Sequence, residues 1–285
     1  MPKIQANGLR FHYWQSGQGP DLVMVHGLGG NLAAWHLQMV PELQADYRVT
    51  TYDLRGHGRS DAPSAGYTTT DMAEDLRGLM DSLGIERAHL VGHSWGCDIA
   101  LHFALLNPQR VVDLVLIEGA LLATLADVYR RREWEGWAYV SSTIEALSGE
   151  PIPEPKRYNL EYLLQQLILI PTLYGPTRGQ PRDGALVSRV ADVLRPIWRG
   201  IQQDGQLTAE TIARIEHRAV LIYEADSVFF QAYELLRDRL ANRVTAILPG
   251  GKLRHFSGLE HPELILDHAK AFLGGETPPP QDGAS

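Results

Sequence analysis

The stretch that decides the fold is HLVGHSWG, His89 to Gly96. An apolar run leads into Gly92-His93-Ser94-Trp95-Gly96, and a helical pattern from Trp95 to Leu106 comes directly after it. This is a G-x-S-x-G pattern in the strand-turn-helix context that its mechanism requires. Ser94 then stands on a tight turn with its hydroxyl exposed at the sheet edge. Small residues two places before and two places after it allow the turn and the close packing around it. The Trp95 N–H opens the helix, where it can face a developing oxyanion.

Upstream, Asp21 to His26 (DLVMVH) is a compact apolar strand that ends in His26-Gly27-Leu28-Gly29-Gly30. That turn has the form of the second half of an oxyanion site, with the Leu28 N–H as donor. A nucleotide-binding turn would also come after a strand. However, neither G-x-G-x-x-G nor G-x-x-x-x-G-K-[ST] is present, so no cofactor is expected.

The same alternation extends in both directions. Strands are expected at Arg10–Trp14, Tyr47–Tyr52, His89–Gly92, Arg110–Glu118, Ala219–Tyr223 and Val244–Leu248. Helices are expected at Trp35–Leu43, Asp71–Leu83, Phe229–Leu240 and Pro262–Leu273. In the Asp71–Leu83 helix, Met72, Leu76, Leu79, Met80 and Leu83 fall on one stripe. Strands apolar on both sides and alternating with helices imply an α/β protein with a mostly parallel central sheet flanked by helices. The alternation stops after Glu118 and resumes near Arg218. The intervening 119–217 carries an aromatic helical stretch (Leu122–Glu145), a proline-rich break (Gly149–Pro155) and a helix at Tyr158–Ile170. A loop at Tyr174–Gly184 and a helix at Leu186–Gln203 complete it. The expected division is a core of 1–118 and 218–273, a helical insertion of 119–217, and a disordered tail of 274–285.

A serine hydroxyl needs a neighbouring imidazole to take its proton. His255 is the best placed of eleven histidines, because it lies between the last strand and the last helix. His261 competes, but sits at the helix start beside Pro262. His26 and His93 flank the two turns, where each can pack or hydrogen-bond, and His57 in DLRGHGRS reads as structural. The base in turn needs a carboxylate. Glu118 closes the strand VVDLVLIE and would be costly to bury without a partner. Glu224 and Asp226, after AVLIY, form the other candidate set, with Asp226 the alternative acid.

Lys plus Arg number 26 against 34 Asp plus Glu, a formal net charge of −8, which disfavours nucleic acid or an anionic membrane as partner. Hydrophobic residues at 44% and charged residues at 21% are ordinary for a folded domain. One cysteine, Cys97, excludes an intramolecular disulfide and a cysteine metal cluster, and no metal site is expected. The opening MPKIQANGLRFHYWQ lacks a signal-peptide core, and no apolar run is long enough to span a bilayer. A soluble, cytoplasmic protein is expected. Assembly is left open, a homodimer included.

HGLGG at 26–30, DLRGHGRS at 53–60, GHSWG at 92–96 and HFSGLEHPE at 255–263 together resemble the α/β-hydrolase fold superfamily over nearly the whole chain. The resemblance implies Ser94 as nucleophile, His255 as base, and Leu28 and Trp95 as oxyanion donors. It also implies that the helical insertion caps the active site. His26, Gly27, Trp134, Trp137 and Tyr139 become candidates for the substrate pocket, although the aromatic rings could equally pack the cap on itself. The acid departs from the usual pattern, in which an aspartate would stand where this chain has Ser227. A glutamate after the preceding strand, 24 residues beyond the nucleophile, resembles the fungal zearalenone-type lactone hydrolases. The expectation is a serine hydrolase acting on an ester or lactone of a mostly apolar small molecule. A serine rather than an aspartate nucleophile disfavours epoxide hydrolase and haloalkane dehalogenase chemistry. Carbon–carbon bond hydrolysis or amide hydrolysis with the same triad, and a non-catalytic ligand-binding role, are the alternatives.

Overall fold

A computed structural model describes residues 2–36, 39–170, 184–203, 205–251, 254–255 and 262–276. In chain order the strands are β1 (Lys3–Ala6), β2 (Leu9–Ser16), β3 (Asp21–Val25), β4 (Arg48–Tyr52), β5 (Ala88–His93), β6 (Val111–Ile117), β7 (Arg218–Glu224) and β8 (Arg243–Leu248). They form one sheet in the order β1-β2-β4-β3-β5-β6-β7-β8. β1 and β2 pair antiparallel, as do β2 and β4, and every later pair is parallel. β3 has β4 on one flank and β5 on the other, so the strand order reverses there. A crevice opens at such a point beyond the carboxyl ends of the strands.

The helices are α1 (Ala33–His36), α2 (Met39–Leu43), α3 (Thr69–Ser82), α4 (Trp95–Leu106), α5 (Ala126–Arg130), α6 (Trp137–Ser148), α7 (Leu160–Ile168), α8 (Gly184–Gln203), α9 (Ala209–Ile212), α10 (Phe230–Arg239) and α11 (Pro262–Leu273). The side-chain period of a strand sends Leu22 and Met24 of β3 to one face, with Trp35, Leu43, Ile265 and Phe272. Val23 and Val25 go to the other face, with Met72, Leu76, Ile99 and Phe103. Both faces are covered, which is why the strand is apolar from Leu22 to Val25. Each such buried side chain contributes about 1.5–3 kcal/mol. α3 begins with a capping box in which Thr68 and Asp71 each satisfy the other's backbone N–H.

Several expected elements differ. The helix expected over Trp35–Leu43 is two short helices, α1 and α2, with 37–38 outside the described residues. The helix expected over Leu122–Glu145 is broken into α5 and α6. Arg132 adopts φ 61°, which a helix cannot continue through, and the turn sends the Trp134 indole N–H to the Val228 carbonyl at 2.6 Å. Residues 274–276, expected in a disordered tail, instead close α11. Gly275 takes φ 84°, and the Glu276 N–H bonds the Ala271 carbonyl at 2.8 Å. β1 adds a strand beyond those expected. The rest of the tail (277–285), most of the Tyr174–Gly184 loop and His261 lie outside the described residues. No described helix is long and apolar enough to cross a membrane.

Candidate active site

The turn after β5 is dictated by backbone proximity. Ser94 has φ 55° and ψ −124°, a strained conformation for a residue with a Cβ. A Cβ on Gly96 would lie 2.1 Å from the Val25 carbonyl oxygen, and one on Gly92 would lie 2.7 Å from that of Gly96. Both obstacles are backbone and cannot swing aside, so the two glycines flanking the serine are steric requirements of the turn. Gly27 belongs to the same close approach: a Cβ there would meet the Ser94 Cβ at 2.8 Å.

Ser94, His255 and Glu118 come together beyond the ends of β5, β8 and β6. His255 Nε2 lies 3.0 Å from Ser94 Oγ, and His255 Nδ1 lies 3.3 Å from Glu118 Oε2. Glu118 is fully buried and has φ 50°. Its Oε1 accepts the Glu224 N–H at 2.6 Å, and its Oε2 accepts the Ser227 hydroxyl. Ser227 Oγ accepts in turn from the Phe229 N–H at 3.1 Å. Burial pushes the Glu118 carboxyl above the usual carboxylate range, and the hydrogen bonds from Ser227 and Glu224 oppose that shift. Burial holds the His255 imidazole low, in the neutral form a base must have.

Asp226 is placed differently. Its carboxylate pairs with Arg254 Nε at 3.0 Å, and the Arg254 guanidinium lies over the Tyr139 ring at 4.4 Å. His93 stacks on His255 with ring centroids 5.1 Å apart, and its Nε2–H donates to the His255 carbonyl at 3.2 Å. Burial, and then the proximity of His255, push the His93 imidazole down to about 3.

Ser94 and His255 open into an apolar cavity lined by Leu28, Trp134, Tyr139, Phe229 and the α7 residues Leu160, Leu164 and Leu167, among others. Among the described residues that line it there is no Lys, Arg, Asp or Glu. Trp134 and Tyr139 therefore stand where the pocket was expected. Trp137 does not: it lines a separate open cavity of about 590 Å³ with Tyr158, Trp198 and Arg130. Leu122 and Leu160 line both cavities. His26 is also outside the pocket wall, since both its ring nitrogens are engaged by backbone at the base of the turn. Trp95 is the first residue of α4, so its N–H has no acceptor within the helix.

Two residues of the site escape a reading of the sequence: Ser227, which holds the acid, and Phe229, which packs edge-on to His255 at 4.5 Å. The one available signal is a small hydroxylated residue at the place where an aspartate is usual. Among the described residues no group of three His, Cys, Asp or Glu stands together as a metal site.

A family model described as alpha/beta hydrolase fold matches residues 20–141. Epoxide hydrolase 3 of Siraitia grosvenorii is 39% identical over 114 residues, which is 39% of this chain and 36% of that relative. The chain thus spans about a third of the length of the curated relatives it matches. Among solved structures, the enol-lactonase from Burkholderia xenovorans LB400 superposes with a TM-score of 0.68 at 21% identity, covering 96% of this chain and 100% of that one. The carboxylesterase CesB from Bacillus subtilis superposes with a TM-score of 0.66 at 21% identity, covering 96% and 90%. The two structural likenesses, each over 96% of this chain, take in the sheet and the inserted helices alike.

Proposed function

We propose that this chain, which has the α/β-hydrolase fold, is a serine hydrolase that cleaves an ester or lactone of a mostly apolar small molecule through an acyl-enzyme. The observation that carries the reading is the line from Ser94 Oγ through His255 to Glu118, with steps of 3.0 and 3.3 Å. Glu118 accepts the His255 Nδ1–H, which leaves the Nε2 lone pair facing the serine hydroxyl. His255 takes the proton from Ser94 as its oxygen attacks the carbonyl carbon. The negative charge that develops on the carbonyl oxygen is met by the Leu28 and Trp95 N–H groups. His255 then gives its proton to the leaving alcohol as the carbon–oxygen bond breaks. A water molecule attacks the acyl-enzyme in the same way, losing its proton to His255, and Ser94 is released with the acid product.

The pocket wall supports a neutral substrate near the scissile bond. Its described residues offer no fixed charge to pair with an ammonium or a carboxylate, and burying such a group unpaired is expensive. We take 119–217 as the cap, since α6 and α7 supply much of that wall. The acid 24 residues after Ser94 is what the zearalenone-type resemblance implies, and it brings a lactone within the substrate class. Epoxide hydrolysis, the activity in the name of the Siraitia relative, fits this residue set poorly. Opening of an epoxide by Ser94 would form an ether, and water does not cleave an ether as it cleaves an acyl ester.

Rapid mixing with a p-nitrophenyl ester tests the reading. A burst of nitrophenol equal to the enzyme concentration, lost in Ser94→Ala, is expected. Turnover that survives intact in Ser94→Ala would overturn it.

A further inference from the structure

The loop after β3 and the loop after β4 are tied by two imidazoles used in the same way. The Leu54 N–H donates to His26 Nε2 at 3.1 Å, and the Gly29 N–H donates to His57 Nε2 at 3.0 Å. Each ring belongs to one loop and accepts from the other. Both ties span 28 residues. Because each Nε2 accepts, each Nδ1 carries the hydrogen. His26 Nδ1–H donates to the Gly27 carbonyl at 2.8 Å, and His57 Nδ1–H donates to the Arg55 carbonyl at 2.9 Å. The two rings meet edge to face at 5.2 Å. A third tie, from the Leu32 N–H to Asp53 Oδ1 at 2.8 Å, extends the same seam.

The consequence falls on the peptide group between Gly27 and Leu28. A trans peptide is planar, and its C=O and N–H point in opposite directions. The Gly27 oxygen is held by His26 Nδ1–H and by the Gly30 N–H at 3.0 Å. The direction of the Leu28 N–H is thereby set. The next peptide is held as well, through the Gly29 N–H on His57. Simple core filling would not need this. A buried imidazole is costly to desolvate, and an apolar ring would fill the space without that cost. His57 also reaches the other side of the oxyanion site, with its ring 6.3 Å from that of Trp95.

We propose that His26 and His57 form a reciprocal clasp that aims the Leu28 N–H at the oxyanion, so that both are positioning residues for the hydrolysis. The proposal rests on the serine-hydrolase reading. It applies to residues outside the pocket wall, one of them in a motif, DLRGHGRS, that the triad does not use.

Nitrogen-15 NMR of the histidine rings reads the clasp without reference to activity. Protonated Nδ1 and unprotonated Nε2 are expected on both His26 and His57, and a protonated Nε2 on either ring would overturn the proposal. The kinetic arm compares His57→Leu, which fills the space without an acceptor, with His57→Gln, whose side-chain oxygen can still accept the Gly29 N–H. Activities are taken per active site counted by the burst. His57→Leu should lower kcat roughly 100-fold with KM within threefold, the size of effect seen when one oxyanion donor is lost. Its affinity for phenylboronic acid, whose serine adduct carries a tetrahedral oxyanion analogue, should fall in parallel. His57→Gln should recover at least tenfold of the lost kcat. A kcat in His57→Leu within threefold of the parent sinks the clasp while leaving the hydrolase reading intact. No burst in the parent sinks that reading itself. Should His57→Leu not fold, the ring tautomers and a kcat in His57→Gln within tenfold of the parent decide the matter, and a larger loss counts against the clasp.

Discussion

The Ser227 hydroxyl donates to Oε2 of Glu118, the same oxygen that faces His255 Nδ1. A hydroxyl from the turn after β7 thus holds a carboxylate delivered from the end of the neighbouring strand β6.

This arrangement separates the two candidate acids by mutation. In Glu118→Gln the amide nitrogen can face His255 Nδ1, which then becomes an acceptor and turns Nε2–H toward Ser94. The base is lost in the wrong tautomer, and kcat should fall on the order of 10³–10⁴-fold. Asp226→Asn only weakens a half-exposed pair with Arg254 and should keep activity within a few fold. Steady-state kinetics of both variants check this, and the opposite ranking would reassign the acid.

The residual activity of Glu118→Gln should also change its pH profile. Loss of the carboxyl removes the acceptor of the His255 Nδ1–H, a hydrogen bond that favours the protonated ring, leaving burial to disfavour it. His255 then stays neutral to lower pH, so the acid limb of kcat/KM should lie at lower pH than in the parent. A limb that moves up, or does not move, would mean that Glu118 does not face the base in solution.

Stability should fall on acidification because several histidines are buried in the neutral form. Burial, aided by neighbouring histidine charge, lowers His26 and His93 to about 3, burial lowers His255 to about 3, and burial first among causes also lowers His36, His57 and His268. The unfolded chain takes up protons at about 6.5, before the native state does. The stability from neutral burial is therefore complete above that pH and drains away as pH falls toward 3. Glu118, raised by burial, works in the opposite sense but is one group against six. Denaturant unfolding should give a free energy on the order of 3 kcal/mol lower at pH 5 than at pH 7. Equal stability at the two values would show that these rings are already solvated or charged.

Gly96→Ala tests the turn itself. The new Cβ would press on the Val25 carbonyl, which belongs to the central strand β3. A loss on the order of 3 kcal/mol is expected, read by thermal or denaturant unfolding. Gly149→Ala is the control: its Cβ meets nothing within 4 Å, although its φ of 73° carries a backbone cost of about 1–2 kcal/mol. If the two variants are equally stable, proximity is not what requires glycine at position 96.

The pocket can be probed through Trp134, whose indole N–H bonds the Val228 carbonyl beside Phe229. Trp134→Phe keeps an aromatic wall but removes that bond, worth about 1 kcal/mol. KM for an aryl ester should rise several fold with kcat changed less. A selective loss of kcat would place Trp134 in the chemistry instead.

The sequence by itself determined the sheet and the crowded turn at Ser94, and it singled out His255 by its place in the chain. Apolar runs that need cover on two faces, and glycines that only a crowded turn requires, are local signals. So is a histidine between the last strand and the last helix. The break between α5 and α6 was not local, because it depends on Trp134 finding the Val228 carbonyl 94 residues away. The acid was legible only as a pair of alternatives. Glu118 and Asp226 each end or come after a strand, and no spacing along the chain says which one reaches His255. Tertiary structure brings Glu118 to 3.3 Å from His255 through the parallel register of β6 beside β7, which also carries it to the Glu224 N–H and the Ser227 hydroxyl. Arg254 meanwhile engages Asp226. The clasp of His26 and His57 has the same origin: the hydrogen bonds that aim a backbone N–H join two loops 28 residues apart, and they exist only once β3 and β4 lie side by side.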